Sequence, residues 1–362
     1  MDKYQGIISA NLLEQFLDKP CNSFTRTDLI RFIEEKGIRM LNFRYVAEDG
    51  KLKTLNFVIN GRDHLESVLA TGERVDGSSL FSFIGAGSSD LYVVPRYKTA
   101  FVNPFSEVPT LDMLCSYYDS EGKPLESSPE YILRKAHKRF KSSSGFVFKA
   151  MGELEYYVQG VKEEMYPTED QRGYHASSPF SNYESLRLEA MKLISRAGGK
   201  IKYGHCEVGS FSTDAESFEQ HEIEFLPVDA EDAVDQLIIA KWILRQLGDK
   251  YGVNLSFAPK ITVGKAGSGL HVHMMLTKDG KNEMMSEKGL SDIAKKLIAG
   301  LLDLASPLTA FGNTLPTSYL RLVPHQEAPT NICWGDRNRS VLVRVPLGWQ
   351  AVSGMIKDAN PL

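Results

Sequence analysis

FVFKAMGELEYYV, residues 146–158, sets the reading of the whole chain. It is rich in β-branched and aromatic residues and long enough for a strand. Within it Glu153 and Glu155 lie two apart, so a strand points both from one face. Two carboxylates that close repel each other, and one takes up a proton unless a cation sits between them. Oxygen-rich groups of this kind suit magnesium or manganese. An exposed strand face with two solvated glutamates is the plainer alternative.

Working outward, strands and helices alternate on both sides of this run. Ser128-Pro129 opens a helix to about Lys141. After the run come a helix at Tyr183–Ala197, strands at Lys200–Val208 and His221–Leu226, and a long amphipathic helix at Asp229–Tyr251 closed by Gly252. Strands at Asn254–Pro259 and His271–Thr277, helices at Ser291–Leu304 and Pro307–Phe311, and a strand at Val341–Val345 complete this part. Ahead of it lies a smaller unit. Thr27 caps a predicted helix through Leu29, Ile30 and Ile33, and Leu41, Phe43 and Tyr45 alternate as a half-buried strand. Asp49-Gly50 turns that strand into a second, Leu52–Ile59. A short helix near Leu65–Leu69 and strands at Leu91–Arg96 and Ala100–Phe105 follow. Residues up to about Ser23 show no clear period and read as an extension or interface arm. The expected organisation is therefore an extension at 1–23, a small α+β domain at 24–119 and a sheet-based catalytic domain at 120–362.

Bulk properties narrow the function classes. At 362 residues, 42% hydrophobic and 24% charged, the chain is an ordinary globular enzyme in composition. A net charge of −4 gives no footprint for nucleic acid, and no apolar run is long enough to cross a bilayer. The start, MDKYQGIISANLLEQ, has no signal-peptide pattern, and four scattered cysteines (Cys21, Cys115, Cys206, Cys333) form no CxxC pair. A cytoplasmic protein with reduced thiols is expected.

Three further stretches carry chemistry. His205-Cys206-Glu207 closes one strand and Gln220-His221-Glu222-Ile223-Glu224 opens the next, so Glu207 and Glu222 are placed to approach the first pair. GKAGSGLHVHMML (264–276) runs from a glycine turn into a strand with His271 and His273 on one face. SYLRLVPHQEAPTNICWGDRNRSVLVRVP (318–346) gathers Arg321, Arg337, Arg339 and Arg344 near Glu327. Arginine offers planar donors for carboxylate and phosphate oxygens. A hairpin bearing histidines and a salt-bridged surface remain the structural alternatives.

Taken in order, VDGSS (75–79), GELEYYV (152–158), HCE (205–207) with QHE (220–222), GSGLHVH (267–273), RLVPHQEAP (321–329) and RNRSVLVRVP (337–346) resemble the successive motifs of the glutamine synthetase family. The resemblance covers about residues 27–346. It implies an α+β fold: a small β-grasp-like N-terminal domain before a catalytic domain with a curved antiparallel sheet and flanking helices. It implies ligation of ammonia to the γ-carboxylate of L-glutamate through γ-glutamyl phosphate, with ATP and two or more Mg2+ or Mn2+ ions per site. Carried over by motif, Glu155, Glu207 and Glu222 hold one metal, and Glu153 and His271 another. Gly267, Arg321, Glu327 and Arg339 surround glutamate. His273, Arg339 and Arg344 face ATP, and Asp76 reaches into a neighbouring subunit's site to take a proton from ammonium. Stacked rings of identical subunits are implied as well.

Three departures stand out. The stretch between Glu207 and Glu222 is long for the family, which leaves Glu216, Glu219 and Glu224 as competitors of Glu222. Lys265-Ala266 replaces the Asp-Asn usual before Gly-Ser-Gly. The chain ends in LGWQAVSGMIKDANPL (347–362), where the family continues to further site residues, so it reads as C-terminally incomplete. Two other functions compete: ligation of glutamate to another amine, and a non-catalytic assembly or binding role on the same fold.

Overall fold

A computed structural model describes residues 9–162, 166, 169–287, 289–324, 326 and 328–346. The chain begins with two helices, α1 (Leu12–Leu17) and α2 (Arg26–Lys36). Thr25, not Thr27, caps α2: its side chain accepts from the Asp28 amide while Asp28 reaches back to the Thr25 amide, a reciprocal capping box. Gly37 ends the helix at φ 66°, where glycine carries no Cβ penalty. The stretch read as lacking a period thus contains α1, and its Leu13 and Leu17 join the same core as α2.

The first sheet follows: β1 (Met40–Val46), β2 (Leu52–Val58), α3 (Arg62–Thr71), β3 (Glu73–Asp76), β4 (Asp90–Pro95), β5 (Phe101–Val102) and β6 (Thr110–Tyr118). Its order is β2-β1-β6-β4-β3, with β1 parallel to β6 and β5 paired to β6. The strand expected at Ala100–Phe105 shrinks to two residues, and β6, which was not foreseen, is the centre of the sheet. β1 was expected to be half-buried but is buried at Leu41 through Tyr45. The reason is tertiary. Its second face packs toward the next domain: Arg44, paired with buried Asp112 of β6, lies 4.0 Å from the Trp242 ring centroid.

The second part contains α4 (Pro129–Ser144), β7 (Val147–Val161), α5 (Glu184–Arg196), β8 (Ile201–Ser212), β9 (Glu216–Phe225), β10 (Val228–Asp229), α6 (Ala230–Tyr251), β11 (Asn254–Ser256), β12 (Leu270–Lys278) and β13 (Lys281–Asn282). These strands form an antiparallel sheet in the order β13-β12-β7-β9-β8, and β10 and β11 also pair with β7. β9 begins five residues before its expected start at His221, because Glu216–Gln220 extend the ladder to β7 and β8. Leu154, Tyr156, Val158, Ile223 and Phe225 face α5 and α6 and form one core. Alternation along β7 and β9 then turns the intervening glutamates to the other face. A small hairpin, β14 (Met285–Ser286) with β15 (Gly289–Leu290), leads to α7 (Asp292–Asp303) and α8 (Ala305–Gly312). β16 (Asn331–Asp336), unforeseen, pairs in parallel with β17 (Val341–Val345).

Charged pairs join the two parts. Arg96 holds Asp235 with two bonds of 2.5 and 2.8 Å, and Lys98 meets Asp232 at 2.5 Å. Among the described residues no helix is long and apolar enough to cross a membrane.

Candidate active site

The sheet's open face is acidic because of register. Glu153 lies opposite Glu224 on β9 and His271 on β12, while Glu155 lies opposite Glu222, which in turn faces His205 on β8. All four glutamates are more than nine-tenths buried. Glu207 completes the group: ligand atoms of His205, Glu207 and Glu222 lie within 4.8 Å of one another, as do those of Glu153, Glu224 and His273. The structure therefore brings all five expected metal-binding residues to one side of four adjacent strands. Glu224, weighed only as a rival to Glu222, joins that face alongside it, held by Lys202 at 2.7 Å. Period-2 alternation from Glu222 was the signal for it.

Compensation is uneven across the group. Burial alone would raise Glu153, but His271 Nδ1 at 2.6 Å and His273 Nε2 at 2.5 Å hold it well below the usual carboxylate range. Glu155 accepts from the Gly269 amide at 2.8 Å and Gln220 at 3.0 Å, yet burial still carries it upward. Glu222 is the extreme case. Burial, followed by repulsion from Glu153, Glu155, Glu207 and Glu224, pushes it up to about 9. Within the Glu153–Glu155 pair the two carboxyls thus move in opposite directions, and the strongest upward push falls one strand away, on Glu222.

The glycine loop fits against this group with no room for side chains. A Cβ on Gly267 would lie 2.6 Å from the Pro259 carbonyl oxygen, and one on Gly269 would lie 2.6 Å from Arg321 Nη2 and 3.2 Å from Glu155 Oε1. Arg321 thus crosses both glycines, close enough for its charge to act on Glu155. Lys265, at a departure from the family pattern, binds Asp170 at 2.6 and 2.8 Å and anchors the loop that precedes α5. Glu219 turns to the helix side, where it binds Ser181, and Glu216, on the face of Glu222 but at the far end of β9, binds Gln159 instead.

The other expected site residues are placed differently. Arg339 and Arg344 belong to the segment of β16 and β17, a separate sheet that packs on α7. Asp76 ends β3 in the N-terminal part. There it accepts from Ser78 Oγ and Ser79 Oγ, both at 2.7 Å, and from the Ser78 amide at 3.0 Å. These serine donors hold its carboxyl far below the usual range. Glu327 lies outside the described residues. Sequence reading also passed over an aromatic wall beside Glu207 and Glu222: Tyr174 stacks on His175 at 4.1 Å, and His175 lies 4.5 Å from His205.

Comparison with known proteins bears on the chain as a whole. The family model described as glutamine synthetase, catalytic domain, matches residues 126–354, and that described as glutamine synthetase, beta-Grasp domain, matches residues 37–120. The chain is 31% identical over 331 residues to a glutamine synthetase of Clostridium saccharobutylicum, covering 89% of this chain and 72% of that protein. It is 30% identical over 334 residues to one of Thermus thermophilus, with the same shares covered. In fold it is similar to the Plasmodium falciparum glutamine synthetase, with a TM-score of 0.80 at 21% identity over 90% of this chain and 68% of that one.

Proposed function

The chain belongs to the glutamine synthetase family of ligases, and from that premise we propose that it joins ammonia to the γ-carboxylate of L-glutamate, consuming ATP and releasing L-glutamine, ADP and phosphate. The observation that carries this reading is the convergence of five glutamates whose charges this chain only partly balances, with Glu222 driven to about 9. An oxygen-rich, electron-dense face of this kind fits hard divalent cations such as Mg2+ or Mn2+. Glu155, Glu207 and Glu222 would hold one ion, and Glu153 with His271 another. When bound, such ions offset charge on a transferring phosphoryl group.

The chain's own residues then act on the substrates. Arg321 and the Gly267 backbone orient glutamate, and His273, Arg339 and Arg344 attend the nucleotide phosphates. In the first step the glutamate side chain takes the γ-phosphoryl group of ATP and ADP leaves. In the second, ammonia attacks the acyl carbon and phosphate departs, with Glu327 closing the site against water. Asp76 acts from an adjacent subunit in a stacked-ring homo-oligomer. Its serine donors favour the anion, which suits holding ammonium, and the proton it accepts must pass on quickly. In this reading residues 24–119 are the grasp domain and 120–362 the catalytic domain of a cytoplasmic enzyme.

A second reading, ligation of glutamate to a small amine, draws on the aromatic wall of Tyr174, His175 and His205, since ring faces suit alkylammonium groups. One assay separates the two. The purified protein is given ATP, glutamate and Mg2+ or Mn2+, with ammonia or methylamine in parallel, and ADP and amide products are measured. Glutamine at the higher kcat/KM supports the first reading, and preference for methylamine supports the second. ADP release with neither acceptor, at the level of a Glu222→Gln control, would sink both and leave a binding role.

A further inference from the structure

The opposite face of the same strands carries a buried polar group that the proposed reaction does not use. Arg187 of α5 donates from Nη1 to His221 Nδ1 at 2.7 Å and to Cys206 Sγ at 3.0 Å. Arginine only donates, so His221 Nδ1 is an acceptor and the ring proton sits on Nε2, which faces Glu219 Oε2 at 3.3 Å. Glu219 is also bound by Ser181 Oγ at 2.9 Å and the Asn182 amide at 2.8 Å. His221 is fully buried and stacks on Tyr156 at 5.8 Å.

The place of this group matters more than its membership. Cys206 precedes Glu207, and His221 precedes Glu222. Cys206 and His221 are also cross-strand partners, the last regular pair before β8 bulges; the next pair is Ser210 with Glu219, so β8 advances four residues while β9 advances two. Glu207 sits in that bulge, where the ladder cannot fix its direction. Arg187 ties the rung on one side of the bulge, and Glu219, through Ser181 and Asn182, ties the rung on the other. Apolar side chains could fill the same volume, but they would not fix which way the neighbouring strand residues point. The buried Nε of Arg187 has no partner among the described residues, so the guanidinium is oriented for Cys206 and His221 at the expense of its own third donor edge.

We propose that Arg187, His221, Cys206 and Glu219 are positioning residues that clamp the β8 bulge and thereby aim Glu207 and Glu222 at the cation. The proposal rests on the metal reading above, and its test separates the two. His221→Phe removes both ring bonds, His221→Gln keeps an acceptor for Arg187 and a donor for Glu219, and Cys206→Ala is a milder cut if the phenylalanine variant does not fold. Amide hydrogen exchange at residues 206–210 is measured in metal-free protein, together with Mn2+ titration by calorimetry and the melting temperature. Exchange is expected to rise at least tenfold in His221→Phe and severalfold in Cys206→Ala, with Mn2+ affinity falling at least tenfold in the former. His221→Gln is expected to restore both. Unchanged exchange at 206–210 in Cys206→Ala and in any folded His221→Phe would overturn the clamp. So would faster exchange with Mn2+ affinity intact, or a glutamine variant no better than phenylalanine. Should the unaltered protein bind no Mn2+, the metal reading falls, while the exchange data still decide whether the clamp exists.

Discussion

Asp112 and Glu222 are both buried carboxylates in the middle of a sheet, and burial raises both. Around Asp112 the first sheet assembles Arg44, Asn42 and Asn103, so every oxygen has donors and the charge is answered in place. Glu222 has four carboxylates as neighbours and His205 at 3.8 Å as its nearest cationic candidate. The first arrangement is complete within the N-terminal sheet, and only the Arg44 stack on Trp242 extends it to the second domain. The second becomes balanced only when something positive arrives. Burial of an acid therefore says little by itself, and the donors around it decide whether it holds the fold or waits for a ligand.

The comparison can be broken most forcefully at Asp112. Arg44→Met leaves that carboxylate buried without its cation and should cost about 3–5 kcal/mol in urea unfolding. A cost near zero would mean the pair is not the closed system described. Glu222→Gln should do the opposite: relief of repulsion stabilises the metal-free protein by on the order of 2 kcal/mol, while Mn2+ affinity and turnover collapse. Destabilisation by this change would contradict the unbalanced reading.

The sign can be sharpened with pH. An unfolded glutamate loses its proton near 4.5, but Glu222 in the folded chain keeps it to about 9. Between those values the folded state binds more protons, so Glu222 contributes stability at low pH that is lost as pH rises through about 9. Urea melts in chelator at pH 5 and pH 8 should therefore show a smaller loss for Glu222→Gln than for the unaltered protein, and Mg2+ should shrink the difference. The smallest effect expected is that of Gly269→Ala. Its methyl group displaces Arg321 or Glu155, raising KM for glutamate about tenfold with a stability change below about 1 kcal/mol. An unchanged KM would remove Arg321 from the substrate site.

These carboxylates were legible in sequence because alternation survives wherever one face of a strand is apolar. Leu154 and Tyr156 fix the parity of β7, and Glu153 and Glu155 follow. The same rule failed where both faces are covered. β6 is buried along nearly its whole length, so TLDMLCSYY shows no alternation to read. β1 misled for a related reason: Asn42 and Arg44 look solvent-facing, but both bind buried Asp112 and Arg44 also packs on Trp242 of the second domain. The uneven compensation inside the cluster was not legible either. It depends on two histidines from β12 that hydrogen-bond Glu153, whereas His205 beside Glu222 stands off at 3.8 Å.

β7 pairs with β9, β10, β11 and β12, so the central strand of the catalytic sheet has neighbours that end only at Lys278. On a ribosome adding roughly 5–20 residues per second, its open edges wait on the order of ten seconds before that last neighbour is made. During this interval a fifteen-residue strand with an apolar face is exposed to other chains. Its glutamates, still protonatable and solvated, are then a safeguard of another kind: they make the nascent edge poor material for aggregation long before they meet a substrate.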